Sequence, residues 1–121
     1  MKKILIVDDE PFIRELLNDF LSMQGYDVIE AVDGIDGFDK FEHNNPQAAI
    51  LDVEMPGMNG QDLADKIFSI DKNFPVIIIS AFLFKYSRSY LLNSGVRAVL
   101  EKPVDLELIK QNLHEIFETT D

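Results

Sequence analysis

The stretch Ala48–Gly60 reads AAILDVEMPGMNG. Its first four residues are apolar without alternation, the pattern of a parallel strand covered on both faces. An acid, Asp52, stands immediately beyond them. Pro56, Gly57 and Gly60 then shape a tight loop, and Asn59 is placed to cap a following helix. An apolar strand, a polar strand end, a turn and a helix together make a βα unit.

The same unit recurs on both sides. Apolar runs rich in branched residues lie at Lys3–Val7, Tyr26–Ile29, Val76–Ile79 and Arg97–Leu100, and YDVIE at Tyr26–Glu30 is mixed enough to suit an edge. Between them run helical patterns. Pro11 suits a first helical position with Asp9 or Glu10 as cap, and Ile13, Leu16, Leu17, Phe20 and Leu21 follow helical spacing up to Gly25. Ile35, Phe38 and Phe41 form a helical stripe interrupted by Gly34 and Gly37. Leu63, Ile67 and Ile70 follow Gly60; Phe84 to Asn93 reads as a helix closed by Gly95; Leu106, Ile109, Leu113 and Ile116 follow a capping Asp105. Alternation of this kind predicts βαβ crossovers, hence a parallel sheet with helices on both faces.

Size and composition limit the rest. At 121 residues the chain fits one domain, residues 1–121, and can bury roughly two-thirds of its unfolded surface. The absence of cysteine excludes disulfides, thiolate metal sites and a Cys nucleophile. Two lysines precede the apolar run Ile4–Val7, but two aspartates end it far short of a signal or membrane segment, so a soluble, cytoplasmic domain is expected. A net charge of −11, with no basic run, disfavours nucleic acid and favours cations and basic protein surfaces.

In open parallel sheets ligands bind beyond the carboxyl ends of the strands. Those ends carry Asp8 and Asp9, Asp52, Ser80, and Lys102 with Pro103. One acid after the first strand would serve as a helix cap. Two, with Glu10 beside them and Asp52 close by, exceed that need, because two carboxylates ~4 Å apart repel by ~4 kcal/mol at an effective dielectric near 20. Such a cluster predicts a cation, and carboxylates with a backbone carbonyl suit Mg²⁺, with Mn²⁺ as a substitute. The loop after Asp52 can turn the Glu54 carbonyl toward that cation. Ser80 and Lys102 offer a hydroxyl donor and an ammonium, the stabilisation a phosphoryl group on Asp52 would need. A carboxylate at Asp52 is expected to be ionised near pH 7 and to need no general base. Lys102-Pro103 invites a tight turn or a cis bond.

These pieces together, ILIVDDE (Ile4–Glu10), DVEMPGMNG (Asp52–Gly60), Ser80-Ala81 and LEKP (Leu100–Pro103), resemble the receiver domain of bacterial two-component response regulators over essentially the whole chain. The resemblance implies a flavodoxin-like, doubly wound fold with a five-stranded parallel sheet of order 2-1-3-4-5. It implies phosphorylation of Asp52 by a histidine kinase or a histidine phosphotransfer protein. It further implies Mg²⁺ held by Asp9, Asp52 and the Glu54 carbonyl with Asp8 assisting, and phosphoryl oxygens contacted by Ser80 and Lys102. A protein of this kind would be a phosphoprotein that signals through protein contacts, as a monomer or a weak phosphorylation-dependent dimer. It would catalyse at most its own phosphorylation and dephosphorylation.

Two features depart from the family pattern. Val99 stands where the family usually has Tyr or Phe, and aromatics crowd the segment after Ser80, at Phe82, Phe84, Tyr86 and Tyr90. They divide between core packing and a partner surface. His43 and His114 are expected at the surface, and the four methionines in loops or core. Three other readings compete with this one. An aspartyl-phosphate phosphotransferase or phosphatase of another α/β family would use Glu54 as acid/base, but no substrate-sized insertion accompanies it. A nucleotide- or flavin-binding module would want a Gly-rich phosphate loop where this chain has DDEP. A degenerate receiver acting only as a binding module is disfavoured by retention of every charged site residue. The last helix is expected to end near Phe117. Two arrangements stay open: a stand-alone shuttle or switch, or part of a longer regulator.

Overall fold

The computed structural model describes residues 1–82 and 88–119. The elements follow in strict alternation: β1 (Lys3–Val7), α1 (Pro11–Met23), β2 (Asp27–Ala31), α2 (Gly34–Asn44), β3 (Ala48–Asp52), α3 (Gly60–Ile70), β4 (Val76–Ser80), α4 (Arg88–Asn93), β5 (Ala98–Glu101) and α5 (Leu106–Thr119). The strands form one parallel sheet in the order β2-β1-β3-β4-β5, as expected. The reversal of strand order at β1 and β3 opens the crevice between their carboxyl ends.

Strand alternation divides the apolar residues between two layers. Ile4, Ile6, Ile50, Ile77 and Ile79 pack with Leu17 and Leu21 of α1 and Ile109 and Leu113 of α5. Leu5, Val7, Leu51, Val76 and Ile78 pack on the other face with Leu63 and Ile67 of α3 and Leu91 of α4. Because both faces are covered, β3 and β4 are buried at every residue.

Local chemistry sets the boundaries. Pro11 opens α1, and Glu10 occupies the cap position with extended backbone but no side-chain cap bond. Asn59 and Asp105 cap α3 and α5 as expected, accepting from Asp62 N at 2.9 Å and Leu108 N at 3.1 Å. Asp33 caps α2 through Asp36 N at 2.8 Å, which starts that helix despite Gly34 and Gly37. β2 begins one residue later than expected and runs two residues further, because Tyr26 still belongs to the turn. Its N–H donates to Leu21 O at 3.1 Å, and its ring lies 5.9 Å from that of Phe117.

Gly95 closes α4 with φ +109. The expected start of that helix at Phe84 falls outside the described residues, as do Phe84 and Tyr86. Ile35 and Ile70, which share helical spacing with apolar neighbours, are 72% and 58% exposed. Met23 is exposed at the end of α1, whereas Met55 is buried and Met58 packs against the core. His43 and His114 both lie at the surface, each beside an acid four residues away.

Candidate functional site

The carboxyl ends of β1, β3 and β5 converge. Asp8 and Asp52 are buried, while Asp9 and Glu10 line the exposed rim above them. One carboxylate oxygen from each of Asp8, Asp9, Glu10 and Asp52 lies within 4.8 Å of the others. Lys102 reaches into this cluster from the loop after β5, with Nζ 2.9 Å from Glu10 Oε1, 3.2 Å from Asp8 Oδ2 and 3.4 Å from Asp52 Oδ2. The peptide bond joining Lys102 to Pro103 is cis.

Backbone groups hold the acids in place. Glu10 N donates to Asp8 Oδ1 at 2.9 Å, and Glu54 N donates to Asp52 Oδ1 at 3.3 Å. Arg14 Nη1 donates to the Asp8 carbonyl at 2.7 Å, and its Nε pairs with Glu30 at 3.4 Å, tying α1 and the edge strand to the acid loop. Arg14 was not singled out from the sequence, where it reads as one more charge on a helix. On the other side of the loop, Gly60 lies so close to Asp52 that a Cβ there would stand 2.2 Å from the Asp52 carbonyl oxygen. Only glycine lets α3 start against that backbone.

Among the described residues, four acids face one ammonium, which leaves the site short of positive charge. Burial pushes the Asp52 carboxyl up to about 7, with the Asp8 charge adding to the rise and Lys102 opposing it. The sequence expectation of a fully ionised Asp52 therefore does not hold for the cation-free site. The sequence places the acids together but does not display how completely Asp52 is removed from water. Burial likewise raises Asp8. Burial works against the Lys102 ammonium, but its hydrogen bond to Glu10 and the Asp52 and Asp8 charges outweigh that and raise its pKa.

Among the described residues, Asp8 Oδ2 is a buried oxygen that accepts no hydrogen bond. Its ion-pair distance to Lys102 supplies charge without satisfying hydrogen-bond geometry. An under-satisfied buried carboxylate oxygen aimed at other carboxylates fits a hard divalent cation with oxygen ligands, which is Mg²⁺ chemistry.

Ser80 is buried, but its hydroxyl is engaged outside the acid cluster. Ser80 Oγ donates to Glu54 Oε2 at 2.7 Å and accepts from Phe82 N at 3.1 Å, while Ala81 N donates to Glu54 Oε1 at 2.9 Å. The side chain of Glu54 was not among the expected site groups; only its carbonyl was. Val99 is buried in the α3/α4 layer, and Arg88 donates to the Val99 carbonyl and pairs with Glu101.

A doubly wound parallel sheet with buried acids and a lysine gathered at the carboxyl ends of its strands defines a carboxylate-centred site, and sequence comparison gives the family. The response regulator receiver domain profile matches residues 4–114, and the chain belongs to that family, the receiver domains of two-component systems. It is 31% identical over 116 residues to the chemotaxis protein CheY of Thermotoga maritima, covering 95% of this chain and 97% of that protein. It is 38% identical over 110 residues to the sensor histidine kinase RcsC of Escherichia coli K12, covering 91% of this chain but only 12% of the kinase. Among solved structures, the Francisella response regulator 1452 receiver domain superposes with TM-score 0.93 at 26% identity, covering 100% of both chains. The response regulator TrrA of Thermotoga maritima, solved in complex with Mg²⁺-BeF, superposes with TM-score 0.85 at 34% identity, covering 95% of this chain and 98% of TrrA. Among the described residues no helix is long and apolar enough to cross a membrane.

Proposed function

We propose that Asp52 is the phosphoacceptor of this receiver domain, taking a phosphoryl group from a phosphohistidine on a histidine kinase or a histidine phosphotransfer protein. The observation that carries the reading is the Asp52 carboxylate, buried with Oδ2 3.4 Å from Lys102 Nζ among carboxylates from β1. In the transfer, an Asp52 oxygen forms the new P–O bond as the P–N bond to the donor imidazole breaks, and the electron pair leaves with the nitrogen. No proton need be removed from an ionised carboxylate, so no general base is called for.

Mg²⁺, with Mn²⁺ as a substitute, would be held by Asp9, Asp52 and the Glu54 carbonyl, with Asp8 assisting. When bound, the cation supplies charge neutralisation for the phosphoryl oxygens and draws Asp52 into its ionised form. Lys102 offers an ammonium on the opposite side, and Ser80 a hydroxyl once it is released. Catalysis by the chain extends at most to its own phosphorylation and dephosphorylation. The setting is cytoplasmic, and the output is a protein contact made by a monomer or a weak phosphorylation-dependent dimer.

The test is acetyl phosphate with Mg²⁺ followed by intact-mass analysis and peptide mapping. One phosphoryl adduct on Asp52, absent from Asp52→Asn, supports the reading. An adduct that persists on Asp52→Asn places the acceptor elsewhere and overturns it.

A further inference from the structure

We propose that the Glu54 carboxylate is an internal anion that occupies the phosphoryl-recognition donors of β4 and must be displaced before Asp52 can hold a phosphoryl group. The inference rests on the phosphoacceptor reading above and deepens it. Glu54 takes both donors at once: Ser80 Oγ–H on Oε2 at 2.7 Å and Ala81 N–H on Oε1 at 2.9 Å. The contact bridges 26 residues of sequence and two strands. It is therefore a tertiary clamp rather than a local turn.

Proton counting gives the consequence. A serine hydroxyl and a backbone amide each carry one hydrogen, so neither can serve Glu54 and a phosphoryl oxygen together. Both bonds to Glu54 are charge-assisted, the stronger class, so the occupant is held firmly. Glu54 is also anchored close by, since its N–H donates to Asp52 Oδ1 at 3.3 Å. A phosphoryl group on Asp52 would bring further negative charge to a residue two positions away. The incoming anion thus competes with Glu54 for the donors and repels it.

Glu54 is accordingly a positioning residue that sets the threshold for anion capture. Its departure also frees Ala81 and Ser80, and Ser80 Oγ is the acceptor for Phe82 N at 3.1 Å. Occupancy of the site is thereby passed into the segment after β4 without an aromatic at position 99.

The experiment measures beryllofluoride affinity in saturating Mg²⁺, by calorimetry and ¹⁹F NMR, for the wild type, Glu54→Ala and Glu54→Gln, with Mg²⁺ affinity measured separately. Glu54→Ala is expected to bind beryllofluoride at least about tenfold more tightly, equivalent to ~1.4 kcal/mol. Glu54→Gln, isosteric but uncharged, is expected to show a smaller gain in the same direction. Mg²⁺ affinity is expected to fall, since a negative charge that acts on Asp52 is removed, so tighter beryllofluoride binding at saturating Mg²⁺ would run against the change in the cation. The Ala81 amide resonance in the Mg²⁺ form should shift in Glu54→Ala before any anion is added. Equal or weaker beryllofluoride binding by Glu54→Ala overturns the proposal, and if that variant does not fold, wild-type affinity in Glu54→Gln does so. No beryllofluoride binding by the wild type is a different failure, that of the phosphoacceptor reading itself.

Discussion

Lys102 Nζ stands closer to Glu10, at 2.9 Å, than to Asp52, at 3.4 Å, so the ammonium is shared between the rim and the floor of the site. Removing it leaves Asp8 and Asp52 buried side by side without the ammonium that pairs with both among the described residues. Lys102→Ala should therefore lose beryllofluoride affinity by at least about tenfold, the size of one charge-assisted contact. Mg²⁺ affinity should hold or improve, since the acids lose a competing cation. Titrations of the two ligands on one sample separate these effects, and a parallel loss of both would contradict the assignment of Lys102 to the phosphoryl side.

Mg²⁺ should raise the melting temperature. A ligand that binds only the folded state stabilises by RT ln(1 + [L]/Kd), about 2.7 kcal/mol at a hundredfold excess over Kd. For a domain of this size that is a rise of several degrees. Asp52→Asn should melt higher than wild type in chelator, because it removes a repelled carboxylate, and should gain less from Mg²⁺. Scanning calorimetry with and without the cation checks both. A wild-type transition unmoved by millimolar Mg²⁺ would remove the cation from the site.

Stability of the metal-free protein should fall as pH rises. Asp52 is raised to about 7 in the fold, against an ordinary value of 3.8. Between those values the folded state binds more protons than the unfolded state, so ΔG of unfolding declines across that window and levels off above it. Asp8 is raised and acts in the same sense, whereas Lys102, also raised, stays charged throughout and contributes no slope there. Urea denaturation in chelator at pH 5 and pH 8 should show the protein more stable at pH 5. Asp52→Asn should lose much of the difference, and a wild type equally stable at both would be the contrary result.

Gly60→Ala should destabilise by ~3 kcal/mol, the upper part of the range for overpacking, because the new methyl meets the Asp52 carbonyl rather than a yielding side chain. Relief requires Asp52 or the start of α3 to shift. Mg²⁺ affinity should therefore fall as well, although residue 60 carries no ligand. Chemical denaturation and a Mg²⁺ titration test the pair, and an unperturbed Mg²⁺ affinity would show that α3 alone moves.

The sheet was legible in the sequence because β1, β3 and β4 carry uninterrupted apolar runs of strand length, as doubly covered strands do. Asp8, Asp9, Asp52 and Lys102 were legible as a cluster because each stands within two residues of the end of an apolar run, so topology gathers them. Exposure of Ile35 and Ile70 was not legible, since helical spacing marks a stripe but not how far its neighbours reach. Nor was the Glu54 clamp. A glutamate two residues after a strand has no visible target until the loop's path brings it across to Ser80 and Ala81.

The alternation of the strands gives one further consequence. Asp52 continues the series Ala48 and Ile50, on the side of α1 and α5, while Ser80 continues Val76 and Ile78, on the side of α3 and α4. The sheet is an insulator between two separately packed interiors, and cavities made on opposite sides, at Leu113 and Leu63 for instance, should add without interacting. A group bound to Asp52 and Ser80 together would act as a stitch through that insulator, joining at the rim two halves packed on opposite faces of the sheet.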